Sequence, residues 1–251
     1  MKIKKILVSQ PTPEEPKSPY FDLAEENNLK IDFRQFIQVQ GIDLKDFKKQ
    51  KIEILKHSGV IFTSRTAIDH FFKISEELKI NIPDSMKYFC ISEATAFYLQ
   101  KYIIFRKRKI FYSSGGKFEN LIDVLKKHKD ETFLVPLSDV HKREIPDLLN
   151  KAKIKYSKAI FYRTVSSDLS DIKITDYDIL VFFSPAGIAS LFKNFPNFTQ
   201  NDVAIGAFGA STAKAVKDAG LRLDIQAPMP KTPSMTAALE AFIKLQNNKG
   251  K

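Results

Sequence analysis

The hydroxyl residues with the strongest claim to chemistry are Ser64, Thr95, Ser184, Ser211 and Thr212. Each stands where an apolar run gives way to a helical pattern. In the stretch from Asp178 to Phe192, Ile179 to Phe183 is unbroken apolar, as in a strand buried on both faces of a parallel sheet. Ser184 follows at the cap position and Pro185 at the first helical position. Ile188, Leu191 and Phe192 continue at helical spacing. A helix begun this way turns its free N–H groups and positive dipole end toward the carboxyl edge of the sheet. That arrangement binds anions. A serine or threonine there also caps its helix whether or not a ligand binds, so capping explains each residue taken alone. Their recurrence at one sheet edge is what points to a ligand.

The elements that position these residues repeat. Gly59 to Phe72 has the grammar of the Ser184 stretch, with Ser64 standing 120 residues before Ser184. At that spacing Phe62 meets Phe182, Ile68 meets Ile188 and Phe72 meets Phe192. Arg65, just after the hydroxyl, adds a cation to the first site. Thr95-Ala96 matches Thr212-Ala213 at a spacing of 117. The order is circular, since the strand at Phe133 has its counterpart at the N-terminus near Ile6. The expected fold is therefore α/β: two similar, flavodoxin-like parallel-sheet domains related by a circular internal repeat. One is continuous over 40–161; the other is discontinuous, built from 1–36 and 166–251. The crossings at 37–39 and 162–165 read as strands, and a two-stranded antiparallel ladder is the simplest linker. A ligand cleft between the domains is expected.

Smaller readings complete the pattern. Phe33 to Val39 alternates as a strand does, and Leu44 to Leu55 reads as a basic amphipathic helix. Met235 to Leu245 is the last expected helix, with Asn247 to Lys251 a frayed tail.

Composition narrows the class. The 251 residues suffice for two modest domains, and 43% are hydrophobic. Net charge is +11, which favours an anionic partner: nucleic acid, acidic lipid or a polyanionic small molecule. The single Cys90 rules out an internal disulfide, fits a reducing compartment and sits in an apolar run as a structural thiol. The four histidines lack metal spacing, so no metal site is expected. The basic start has too short an apolar run for a signal peptide, and no segment is long enough to span a membrane. A soluble cytoplasmic protein is expected.

The motifs, in this order, resemble the uroporphyrinogen-III synthase family. They are Thr63-Ser64, Ala94-Thr95-Ala96, Tyr162-Arg163-Thr164, Phe183-Ser184-Pro185, Gly209-Ala210-Ser211-Thr212-Ala213 and the late Lys231-Thr232-Pro233. The resemblance covers nearly the whole chain. It departs at the first strand, which ends Ser9-Gln10-Pro11 where many bacterial members carry Thr-Arg-Pro. It implies a cofactor-free reaction: hydroxymethylbilane, a linear tetrapyrrole rich in carboxylates, loses its hydroxyl and closes with inversion of the last ring. A monomer is expected. Ser64, Arg65, Thr95, Ser184, Ser211 and Thr212 become candidate substrate contacts. Tyr162 becomes the candidate acid, its phenol donating to the departing hydroxyl. Tyrosine is also a favoured strand residue, and packing alone would explain it.

Two other classes stay open from the sequence: a non-catalytic module binding an anionic ligand, and a basic nucleic-acid-binding protein. The run Arg106-Lys107-Arg108-Lys109 between Phe105 and Phe111 motivates the second, though a solvated loop entering a strand explains it as well. Nucleic acid is the less favoured partner. Enzyme and binding module part company on whether the isomer of porphyrin formed from hydroxymethylbilane changes.

Overall fold

The computed structural model describes residues 3–15, 17–141 and 144–249. The chain opens with strand β1 (Lys5–Val8), helix α1 (Pro19–Asn27), strand β2 (Lys30–Phe33), strand β3 (Ile37–Gly41) and helix α2 (Leu44–Lys49). Next come β4 (Gly59–Phe62), α3 (Arg65–Glu77), β5 (Lys87–Cys90), α4 (Glu93–Tyr98), β6 (Ile110–Tyr112) and α5 (Phe118–Lys126). Strand β7 (Phe133–Ser138), helix α6 (Glu144–Lys151) and the long β8 (Tyr156–Ser166) follow. The remainder is β9 (Ile179–Phe182), α7 (Pro185–Asn194), β10 (Ala204–Phe208), α8 (Ala210–Asp218), β11 (Ile225–Ala227) and α9 (Met235–Lys249).

The chain divides into two units, one built on residues up to Gln38 and from Val165 onward, the other on Val39–Thr164. The first holds a five-stranded sheet in the order β11-β10-β9-β1-β2, with every neighbouring pair parallel. The second sheet runs β3-β8-β7-β4-β5-β6, and its neighbours from β8 to β6 are parallel. Because the strands point one way, their carboxyl ends share one edge within each of these parallel arrays. The helices return over the faces and bury both sides. That is why β9 and β4 read as continuous apolar runs: all four residues of each are buried. In the first unit Phe36 meets the Phe182 ring edge to face at 5.4 Å. In the second Phe71 packs against Phe62 and Phe161, and Phe161 against Phe47.

Three local expectations are corrected. The alternation from Phe33 to Val39 is not one strand. β2 ends at Phe33, and Phe36 turns inward, 1% exposed. Its carbonyl accepts from Ser167 N and the buried Ser190 hydroxyl, so it leaves the ladder before β3 begins. The helix expected to reach Leu55 stops at Lys49. The side-chain amide of Gln50 bonds both backbone groups of Ile160, at 2.8 and 2.7 Å, and Lys51 takes a left-handed turn at φ 54°. At the other end α9 continues past Leu245 to Lys249, so 247–249 are helical; 250 and 251 lie outside the described residues.

Candidate functional site

The carboxyl edge of the Val39–Thr164 unit carries Ser64. Its extended backbone lets Oγ accept from Ala67 N at 3.1 Å, closing the first turn of α3. Arg65 is exposed beside it, with its guanidinium 5.4 Å from the centre of the Tyr98 ring. Thr95 does not cap α4, contrary to expectation. Ser92 does, its Oγ accepting from Thr95 N at 3.3 Å. Thr95 is buried in the first turn of the helix, its hydroxyl 3.0 Å from Ser92 Oγ. Ser92 directly follows the apolar run ending at Ile91, where the sequence opens this helix.

The edge of the other unit carries Ser184, whose Oγ accepts from Gly187 N at 3.2 Å. Gly187 brings helix and strand close, since a Cβ there would lie 3.2 Å from the Phe182 ring. The next helix, α8, departs from expectation. Neither Ser211 nor Thr212 caps it; Gly209 does, at φ 86° and with no side-chain bond to the first turn. Ser211 is exposed and Thr212 is 1% exposed. Thr212 Oγ1 is the one buried side-chain oxygen or nitrogen among the described residues without a partner. With no side-chain cap, the first-turn N–H groups of α8 remain available to an anion, whereas the Thr212 hydroxyl is buried behind them. Beside it the half-buried rings of Phe183 and Phe208 stack at 5.8 Å, a flat apolar surface at the ends of β9 and β10.

Tyr162 is half-buried on β8. β7 and β8 pair in register to Leu137–Ile160, then slip by one residue so that Ser138 faces Tyr162. The slip sends Phe161 into the core and redirects Tyr162. Its hydroxyl lies 3.5 Å from Ser64 Oγ, too far for a full hydrogen bond. Asp139 fixes the strand beyond the slip: its N–H donates to Tyr162 O, and its carboxylate accepts from Thr164 N, each at 3.1 Å. The neighbouring Arg163 is occupied, donating to Asp46 at 2.9 Å. Lys49 first and Arg163 second hold the Asp46 carboxyl below its ordinary value. His70 of α3 stacks on the Tyr162 ring, centroids 5.3 Å apart and planes 21° from parallel. Burial, with Lys73 nearby, lowers the pKa of this histidine despite Asp69. Asp139 and His70 carried no motif, because their roles depend on a strand slip and a helix phase that join distant residues.

The other candidates resolve simply. Cys90 is fully buried, and burial pushes its thiol up to about 12, so it is no nucleophile at neutral pH. Among the described residues no cluster of three or more His, Cys, Asp or Glu could hold a metal ion. None of the described helices is long and apolar enough to cross a membrane. Of the basic run, Arg106 pairs with Asp84 at 3.4 Å. The flanking rings are engaged: Phe105 stacks on Phe97 at 5.3 Å and Phe111 on Phe89 at 5.0 Å.

Known structures share this two-unit fold. The uroporphyrinogen-III synthetase of Helicobacter pylori matches with a TM-score of 0.59 at 18% identity, over 97% of this chain and 100% of that one. A mutant uroporphyrinogen III synthase of Thermus thermophilus matches with a TM-score of 0.50 at 12% identity, over 98% and 99%. At such identities the likeness speaks for the fold alone. No curated protein sequence matches the chain. The family described as uroporphyrinogen-III synthase HemD matches over residues 25–237, most of the sequence and both units, and the chain therefore belongs to the uroporphyrinogen-III synthase family.

Proposed function

We propose that this chain closes hydroxymethylbilane to uroporphyrinogen III with inversion of the last ring, and that the two sheet edges and Tyr162 carry the reaction. The family is one of cyclising lyases of haem biosynthesis, and it implies a tetrapyrrole substrate. The single observation that carries the site assignment is the Tyr162 hydroxyl beside Ser64, at the start of α3, with no full hydrogen bond to hold it. A phenol so placed is free to donate to a ligand. In the reaction it protonates the departing hydroxyl; the C–O bond breaks with its electrons on oxygen, and water leaves. The electron-poor carbon left behind then meets the last ring. That step rests on holding the chain folded so that the reacting atoms are close.

Carboxylates spread along a flexible substrate need donors spread over a surface. Within its own unit each sheet edge supplies backbone N–H groups without fixed side-chain geometry, from the starts of α3 and α4 in one and of α7 and α8 in the other. Ser64, Arg65, Ser184 and Ser211 are the accessible side chains we assign to those sites, while Thr95 and Thr212 support them from inside the first turns of α4 and α8. The net charge of +11 raises the local concentration of a polyanion. We also read the two strand orders as the same path, β6-β5-β4-β7-β8 against β11-β10-β9-β1-β2, which supports a circular repeat. We take the working form to be a cytoplasmic monomer without a cofactor, acting on a small molecule rather than nucleic acid; the buried lone thiol supports a reducing compartment.

The test is to supply hydroxymethylbilane, oxidise the product and separate the porphyrin isomers. Isomer III in excess over a protein-free control is expected. The same isomer mixture with and without protein would overturn the assignment.

A further inference from the structure

We propose that His70 is a positioning residue for the Tyr162 phenol, and that Gly41 is the residue that makes room for it. This rests on the reading of Tyr162 as proton donor. Among the described residues the Tyr162 hydroxyl has one side-chain polar neighbour, Ser64 Oγ at 3.5 Å. At that distance a hydroxyl contact does not fix where the phenol points. Orientation must come from packing of the ring, and the imidazole of His70 supplies it, stacked at 5.3 Å and 21°. Ser64 caps α3 and His70 lies within it, so one helix holds both the platform under the ring and the neighbour of its hydroxyl.

The imidazole also borders β3. A Cβ on Gly41 would stand 2.8 Å from His70 Nδ1 and 3.1 Å from Cε1. Gly41 has an ordinary backbone conformation, since it is not among the residues at positive φ. Its missing side chain therefore answers to contact with His70, not to a turn. A larger residue at 41 must push the imidazole off its seat. The ring is also suited to the task electrically. Burial, with Lys73 opposing a further positive charge, disfavours its protonated form and so favours a flat face over a cation.

The test is a double-mutant cycle in the full chain, measured as kcat and KM on hydroxymethylbilane, with thermal melting to report folding. His70→Ala should lower kcat roughly 10- to 100-fold with KM little changed, the scale expected when a catalytic group is misplaced. Gly41→Ala alters no polar side chain and should produce a similar loss. His70→Phe restores a flat ring and should recover most of the rate. In a Tyr162→Phe background, His70→Ala should cost nothing further, because its effect runs through the phenol. Equal losses in both backgrounds would overturn the proposal, as would full kcat in a folded His70→Ala protein. If His70→Ala does not fold, Gly41→Ala and His70→Phe decide: full rate in the first or none in the second would overturn it. Full turnover in Tyr162→Phe alone would instead sink the proton-donor reading, and the positioning role with it.

Discussion

The hydroxyl of Tyr162 on β8 stands 3.5 Å from Oγ of Ser64, the cap of α3, although 98 residues separate them in the chain. The relationship is made by the one-residue slip between β7 and β8, which buries Phe161 and carries Tyr162 to the edge where α3 begins. Asp139 then clamps the strand on either side of Arg163. Asp139→Ala should therefore lower turnover more than stability. Kinetics beside thermal melting check this; a large loss of melting temperature with unchanged turnover in the folded protein would make Asp139 a purely structural residue.

Ser184 and Ser64 have matching cap geometries, so their alanine variants separate capping from binding. Loss of either cap should cost about 1 kcal/mol of stability. If both also hold carboxylates, each variant should raise KM. Denaturant unfolding and steady-state kinetics give the two quantities; lost stability with unchanged KM would leave capping as the whole role.

Thr212 offers a sharper separation. Its Oγ1 is buried and has no partner, so it contributes nothing to the fold that a methyl group would not. Thr212→Val keeps the shape and should leave stability equal or raise it by about 1 kcal/mol. If an incoming carboxylate pairs with the hydroxyl, the same change should weaken substrate binding. A variant that is less stable and binds normally would show that the hydroxyl is satisfied inside the protein.

His128 sets a pH dependence. It packs against the stacked rings of Phe89 and Phe111, at 5.1 and 4.3 Å, and burial followed by the charge of Lys87 lowers its pKa below the ordinary value. The unfolded chain takes up this proton more readily than the folded one. Stability should therefore fall as pH drops from about 6.5 toward the lowered folded value, and should be unaffected above that range. Melting at about pH 7.5 and about pH 5.5 measures the loss, which should be smaller in His128→Phe. An equal loss in the variant would mean that other groups carry all of it.

Much of this was legible from residue patterns. Ile179 to Phe182 and Gly59 to Phe62 announced buried parallel strands because branched apolar runs leave few other choices. Ser64 and Ser184 announced their caps because each stands between a buried apolar strand and a helical pattern, with Pro185 reinforcing the second. Ser92 and Gly209 open the two stretches and cap their helices, while Thr95 and Thr212 sit in the first turn and face the interior, which composition alone does not show. Phe36 defeated the alternation rule: its contact with Phe182 lies 146 residues away and outweighed the local pattern. His70 on Tyr162 and the slip at Ser138 could not be read at all, since both depend on the register between elements rather than on any element's own sequence.

Turnover of Tyr162→Phe on hydroxymethylbilane tests the assignment of the acid most directly. The change keeps the ring that His70 stacks on and removes only the donor. A fall of roughly 10²- to 10⁴-fold in kcat is expected, the range for loss of a general acid. Stability should move by no more than about 1 kcal/mol. Wild-type kcat in a folded Tyr162→Phe protein would contradict the assignment and leave the chemistry to positioning by the helix starts alone.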